Sequence, residues 1–516
     1  MWSMAGRVFC EITAPNKTNM PSEKSTNSLS AEVPAQSHKQ LDRSLVRGVA
    51  WVAVIKWISQ IVSWASALVV ARILSPSDYG LVSLATVYLG LLTMIGEFGV
   101  GAAVVTLRNL TEEQVSQLNS LAVLTGIAGF LISCALAGPL ASFFHFAGFR
   151  TVFIVMSAGF IVASLQSVPS ALLQREMRFK SLSLIDGARS GILAVFTVIL
   201  AAAGFRYWTL VLSGLLGSIL STWLTLRQRK HSFAWPRMQS LRRTLRFSGD
   251  IVGSRVAWYC YSNADFVVAG RRLGEAALGA YTFAWTMAHI PEERITGLLN
   301  TVIPAFFSAI QQDLTSLRRY ILNVTQMLAF LTFPTAAGIS LLSGDFVQGA
   351  LGPKWRGAVV PLQLLAIYVP IRTITPLLAY ALNATGETRK SLWLSLLHLA
   401  AFPPAFYFAS QWGTRGIAAV WIVLHPLFSV LLLRMTLRKI QLPIRDYLQA
   451  LYPPVAGTVF MILAVSLVKV AFPPSCAVWL RLAVEIVSGV VVYFGTILLL
   501  FGDLFWAAFR RLRASC

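Results

Sequence analysis

RVAWYCYSNADFVVAGRRLGEAALGAY, residues 255–281, reads as a membrane-spanning helix carrying Arg255, Asn263 and Asp265 inside an otherwise apolar run. It closes on a short polar turn, Gly270-Arg271-Arg272-Leu273-Gly274. Charge inside a span is costly and marks either function or pairing. The stretch has an echo 199 positions earlier: Lys56, Gln60 and Ser63 precede Arg255, Tyr259 and Ser262 at that offset. Ala71-Arg72, Leu74 and Gly80 precede Gly270-Arg271, Leu273 and Gly279 at the same offset. A fixed long offset with matching chemistry points to two homologous halves.

Composition sets the class. The 516 residues are 56% hydrophobic and 12% charged, with mean hydropathy +0.67, whereas a soluble domain is nearer a quarter charged. Apolar runs of about 20 residues recur along most of the chain, which predicts an all-α polytopic membrane protein; runs without alternation favour helices over a β-barrel. Five cysteines, Cys10, Cys134, Cys260, Cys476 and Cys516, are dispersed with no CxxC, so they read as packing residues or free thiols.

About fourteen spans are expected, separated by turn signals such as Ser75-Pro76-Ser77-Asp78, Gly352-Pro353 and Asn383-Ala384-Thr385-Gly386. Residues 1–45 are polar, lack periodicity and read as a disordered cytoplasmic tail with no signal-peptide pattern. A six-helix half over 46–226 is followed by a basic linker at 227–247, a second six-helix half over 248–436, and two further helices with a basic tail over 437–516. Of the 43 Lys and Arg, about 28 fall in alternate loops and about eight in the opposite ones, predicting N-in, C-in orientation. The net charge of +22 therefore faces cytoplasm and anionic headgroups rather than nucleic acid.

The cations within spans are Lys56, Arg255, Arg294 and Arg372. Lys56, Gln60 and Ser63 share one helical face at i, i+4, i+7 spacing, as do Arg255, Tyr259 and Ser262. Two such faces, one from each half, would line a cavity between the halves. Arg294 follows Pro291-Glu292-Glu293, and Arg372 lies between Pro370 and Pro376; prolines at those points kink or break a helix and free backbone groups for a polar cavity. A cationic cavity of this kind suits a diphosphate, whose oxygens take charge-assisted bonds from Arg and Lys. The competing reading is that Lys56 and Arg255 snorkel to the interface and that Glu292 or Glu293 simply pairs with Arg294. Among the acids in apolar runs, Asp265 and Glu97 are candidates for coupling to a proton or sodium ion, while Arg481 and Glu485 are expected to pair. His398 and His425 are expected to pack.

No GxxxxGK[ST], GxSxG, HExxH or Cys/His cluster is present, so no P-loop ATPase, hydrolase or metal centre is indicated and no cofactor is expected.

Three stretches carry a family resemblance. Ala71-Arg72-Ile73-Leu74-Ser75-Pro76-Ser77-Asp78-Tyr79-Gly80-Leu81, with Glu97-Phe98-Gly99-Val100-Gly101-Ala102-Ala103 after it, is similar to the first outer loop of the polysaccharide-transporter branch of the multidrug/oligosaccharidyl-lipid/polysaccharide exporter superfamily. Leu173-Gln174-Arg175-Glu176-Met177-Arg178-Phe179-Lys180 resembles that branch's fourth-to-fifth-span loop. Asp265 through Tyr281, with Pro304-Ala305-Phe306 and Gln311-Gln312-Asp313, resembles its second half. The resemblance implies two six-helix lobes around a cavity, two extra C-terminal helices and alternating access. It implies a flippase of undecaprenyl-diphosphate-linked oligosaccharide in the bacterial inner membrane, serving exopolysaccharide, capsule or O-antigen synthesis beside a polymerase and export machinery. It transfers no strictly required residue. The rivals are a cation-coupled drug or metabolite antiporter, which would favour an acidic cavity, and a membrane polymerase or ligase, which would carry a large outer loop. A structural subunit would not need buried charge in both halves.

Overall fold

The computed structural model describes residues 60–96, 104, 110–236, 256–472 and 477–514, and among them there is no strand. The first half holds α1 (Gln60–Ile73), α2 (Pro76–Gly96), α3 (Glu112–Phe144), α4 (Phe149–Arg175), α5 (Phe179–Ala202) and α6 (Trp208–Gln228). The second holds α7 (Ala264–Leu273, preceded by a helical segment at 256–262), α8 (Glu275–Ala309), α9 (Leu314–Phe346), α10 (Val359–Ala384), α11 (Thr388–Ala409) and α12 (Gly413–Lys439). Two more, α13 (Ile444–Ala471) and α14 (Val478–Ala514), pack on α9. Nine helical segments among the described residues are long and apolar enough to cross a membrane, one of which, Arg389–Lys439, takes in both α11 and α12. Apolar side chains such as Leu467, Val470 and Leu499 point outward, as a lipid-facing surface requires.

Helix ends follow local chemistry. Thr111 caps α3 through a capping box with Gln114. At the start of α2, Ser75 donates through its backbone N and its Oγ to Asp78 Oδ2 at 2.9 and 2.6 Å. Gly274 stands at φ +87 between α7 and α8, a conformation only glycine adopts without strain. The helix runs on through Arg271 and Arg272, so the polar turn expected at 270–274 narrows to Gly274 alone. Helices α8 and α10 likewise continue through Pro291, Pro304, Pro370 and Pro376; packing on both sides holds the chain helical where a proline in isolation would break it. The first part of the linker, 231–236, lies along the start of α3, where Asn119 Nδ2 donates to the Ser232 carbonyl at 3.3 Å.

The halves meet along α2 and α8. A β-carbon on Gly80 would overlap the Glu275 carbonyl, and one on Gly279 would overlap the Pro76 carbonyl. The pairs are reciprocal, since Pro76 and Gly80 become Glu275 and Gly279 at the 199-residue offset. One turn further along, Thr282 Oγ1 donates to Ser83 Oγ at 3.0 Å, again two residues 199 apart. A residue touching its own repeat equivalent is the signature of a pseudo-two-fold axis. The loop between α9 and α10 covers this end: Trp355, fully buried, donates Nε1 to the Ala71 carbonyl at 2.8 Å, and Lys354 Nζ donates to the Arg72 carbonyl at 2.7 Å. These are C-terminal carbonyls of α1, which lack partners in their own helix.

Candidate functional site

A cavity of about 360 Å³ opens among the 256–262 segment, α8, α10, α11 and α12. All its described walls belong to the second half; Lys56 and Arg255, expected on matching faces of spans one and seven, lie outside the described residues. Its lining on α10 runs from Tyr368 to Tyr380, and on α11 from Ser391 to His398. Both stretches lie toward the α10–α11 turn, the end of the bundle opposite the glycine seam. The seam is closed at one end and the cavity occupies the other.

Arg372 and Glu292 are the formally charged residues among those lining the cavity. Arg372 Nε donates to Glu292 Oε1 at 3.0 Å, so Glu292 pairs across to α10. The Arg372 guanidinium also lies 5.1 Å from the Trp285 ring centroid, a cation–π arrangement. His289 stacks on Trp285 at 4.1 Å and stands 3.7 Å from Glu292 Oε2. Helix α8 therefore presents 285, 289 and 292 on one face at i, i+4, i+7.

Aromatic and hydroxyl side chains make up much of the remaining wall. Trp258 is 48% exposed and lines the cavity with Tyr261, Tyr368, Trp421 and Phe428. Tyr261 stacks on His398 at 5.1 Å, and His398 Nδ1 donates to the Leu394 carbonyl at 2.6 Å. Thr375 Oγ1 and Ser429 Oγ are 3.0 Å apart, and Ser429 Oγ is 3.0 Å from His425 Nδ1. The two histidines expected to pack do so, against rings, yet they also face the cavity.

Asp265 lies behind this wall, fully buried. Its Oδ2 accepts from Tyr281 Oη at 2.7 Å and from Trp421 Nε1 at 3.0 Å, and its Oδ1 accepts from the Phe266 backbone N at 2.9 Å. No cation lies within ion-pair distance of it among the described residues. Trp421 thus has one edge on Asp265 and its ring on the cavity. Tyr259 turns away into the seam, donating to the Val87 carbonyl at 2.8 Å beside Gly90, while Ser262 lines the cavity.

Lys56, Glu97 and Arg255 lie outside the described residues, and of Arg294 the backbone on α8 is described without its side chain. Of the sequence-derived candidates, Arg372 and Asp265 are brought to opposite sides of one aromatic layer. Arg481 and Glu485 stand 3.7 Å apart as expected, but Arg481 also meets Asp345, which Lys469 holds at 3.0 Å. This second charge cluster fastens α13 and α14 to α9.

The sequence reading missed Tyr281 and Trp421 as partners of Asp265, and Trp355 as the cover of the seam. A hairpin centred on Gly274 places 265 and 281 nearly level, which was the available signal for Tyr281. A tryptophan in an apolar helix reads equally as core or interface, so no signal marked Trp421.

Residues 69–360 match the profile of the family described as polysaccharide biosynthesis protein. The chain belongs to that family. It is a multi-pass membrane protein. It is 22% identical over 401 residues to the lipopolysaccharide biosynthesis protein WzxC of Escherichia coli, covering 76% of this chain and 80% of that protein. It is 25% identical to the succinoglycan biosynthesis transport protein ExoT of Rhizobium meliloti, covering 74% and 77%. Among solved structures, the lipid II flippase MurJ in an inward closed conformation superposes with a TM-score of 0.72 at 16% identity, over 88% of this family member and 100% of that chain. That likeness is one of fold.

Proposed function

We propose that the protein is a flippase that moves undecaprenyl-diphosphate-linked oligosaccharide repeat units from the cytoplasmic to the periplasmic leaflet of a bacterial inner membrane by alternating access. The observation that carries this reading is the pairing of a closed seam at one end of α2 and α8 with a cavity at the other end. With the N-terminus cytoplasmic, the seam is periplasmic and the cavity faces the cytoplasm, where such precursors are assembled. The names of the relatives support polysaccharide precursors as cargo. Lys56, Arg255 and Arg294 are proposed to receive the diphosphate, with Arg372 deeper along the same path. Asp265 is proposed as a coupling group for a proton or sodium ion, because a change at its carboxylate reaches the cavity through Trp421; Glu97 is proposed as its counterpart in the first half. A polymerase and export machinery would take up the product.

The test is to remove the gene, restore it, and follow lipid-diphosphate-linked repeat units by leaflet. Units trapped on the cytoplasmic face and cleared by the restored gene support flipping. Units that reach the periplasm without the protein and stay unpolymerised identify a polymerase-like role instead.

A further inference from the structure

We infer that the cavity of the second half is an uncharged-saccharide site, taking the sugar end of the substrate and leaving the diphosphate to cations elsewhere. The inference rests on the flippase reading and deepens it. Phosphate recognition needs cationic charge that is not already matched. Here the charges on the described wall are Arg372 and Glu292, joined at 3.0 Å. A diphosphate beside Arg372 would displace Glu292 or face its carboxylate in a poorly solvated site, where like charges repel strongly. The wall suits a pyranose instead. Sugars present C–H faces, which lie on aromatic rings, and hydroxyl edges, which both donate and accept.

Trp258 offers a half-exposed ring, and Tyr261 a partly exposed one beside it. Ser262, Ser391 and Ser395 add hydroxyls around them. Arg372, with Nε engaged by Glu292, keeps its terminal N–H groups for neutral oxygen acceptors. The volume, about 360 Å³, is within the range of small-ligand pockets, about 300–1,000 Å³, and holds a short saccharide rather than a whole lipid-linked unit.

The experiment uses full-length protein in detergent and two probes: the repeat-unit oligosaccharide freed from its lipid by mild acid, and inorganic pyrophosphate. Binding is read by tryptophan fluorescence and by isothermal calorimetry. The oligosaccharide should bind and pyrophosphate should not displace it. Trp258→Leu should weaken oligosaccharide binding about tenfold, and raising the salt concentration about tenfold should leave the wild-type affinity for the oligosaccharide within about threefold, as a site that binds an uncharged ligand requires. Pyrophosphate displacing the oligosaccharide, or oligosaccharide binding lost at high salt while the protein remains monodisperse, would overturn the inference. So would wild-type protein that clears lipid-linked units in the leaflet assay yet does not bind the free oligosaccharide. Sugar binding with no flipping in that assay would instead refute the flippase reading and leave the saccharide site standing.

Discussion

The helical unit α1–α2 and its repeat α7–α8 agree at the seam and part company at the site. Gly80 and Gly279 play the same role, each admitting the other unit's backbone, and Ser83 meets Thr282 directly. Away from that axis the equivalents diverge: Ser66 stands for Asp265, Val82 for Tyr281, Thr86 for Trp285 and Thr93 for Glu292. Ser66 donates to the Ala194 carbonyl, and Thr86 and Thr93 bond back to their own helix. The second-half residues instead reach across to α10 and α12. Symmetry is kept where the two halves meet and abandoned around the cavity. On the proposed flippase reading, alternating access needs the first property and substrate recognition the second.

The comparison breaks most sharply at the glycines. Gly279→Val puts a branched side chain into the Pro76 carbonyl, so export should fall at least tenfold, and Gly80→Val should match it through the reciprocal contact. Gly138→Ala, with no atom within 4 Å of the new carbon, should leave export unchanged. Surface polysaccharide, normalised to membrane-inserted protein, is the readout. If Gly279→Val exports normally, the seam is not a working contact.

Next in size is the asymmetric pair. Glu292→Gln leaves Arg372 without its counter-charge and should cost about 3 kcal/mol, seen as a lower thermal midpoint in detergent. Adding Arg372→Gln should recover most of that loss. Thr93→Ala, at the equivalent position in the first half, should change stability by under about 0.5 kcal/mol. Equal effects at 93 and 292 would erase the distinction between the halves. At the cover of the seam, Trp355→Phe removes one hydrogen bond to the Ala71 carbonyl and keeps the ring contacts with Tyr79 and Phe283. It should cost about 1 kcal/mol and raise the labelling of a cysteine placed at Ser83 from the outer side.

The smallest expected effect lies at the opposite end. Lys439 and Lys390 hold the Glu387 carboxyl below its ordinary value of 4.5. A lowered carboxyl contributes stability above that value and loses it as pH falls through the folded-state value. Glu387→Gln should therefore lower the thermal midpoint slightly at pH 7, and that difference should shrink as the pH falls below the ordinary carboxyl range. A difference that does not shrink in acid would rule out the charge pairing as its source.

Much of this architecture was legible in the sequence because membrane spans announce themselves by length and hydropathy. The apolar runs at 150–173, 358–383 and 447–470 match the helices Phe149–Arg175, Val359–Ala384 and Ile444–Ala471 to within four residues at each end. The 199-residue echo was readable too, and it forecast the Gly80–Gly279 relation, though not that the two units touch. What stayed hidden was partner choice. Nothing in Pro291-Glu292-Glu293-Arg294 says that Glu292 reaches Arg372 on α10, eighty residues away. Spacing along one helix identifies only partners three or four positions apart, and helix packing decides the distant one. The same holds for Trp421, whose indole finds Asp265 across 156 residues.

The central claim is that the seam must open for cargo to cross. Ser83 and Thr282, whose hydroxyls are 3.0 Å apart, allow it to be tested directly. With Ser83→Cys and Thr282→Cys introduced after the native cysteines are replaced, an oxidant should link α2 to α8, stop leaflet transfer of lipid-linked repeat units, and restore it on reduction. Transfer at the unmodified rate with the crosslink fully formed would contradict the account.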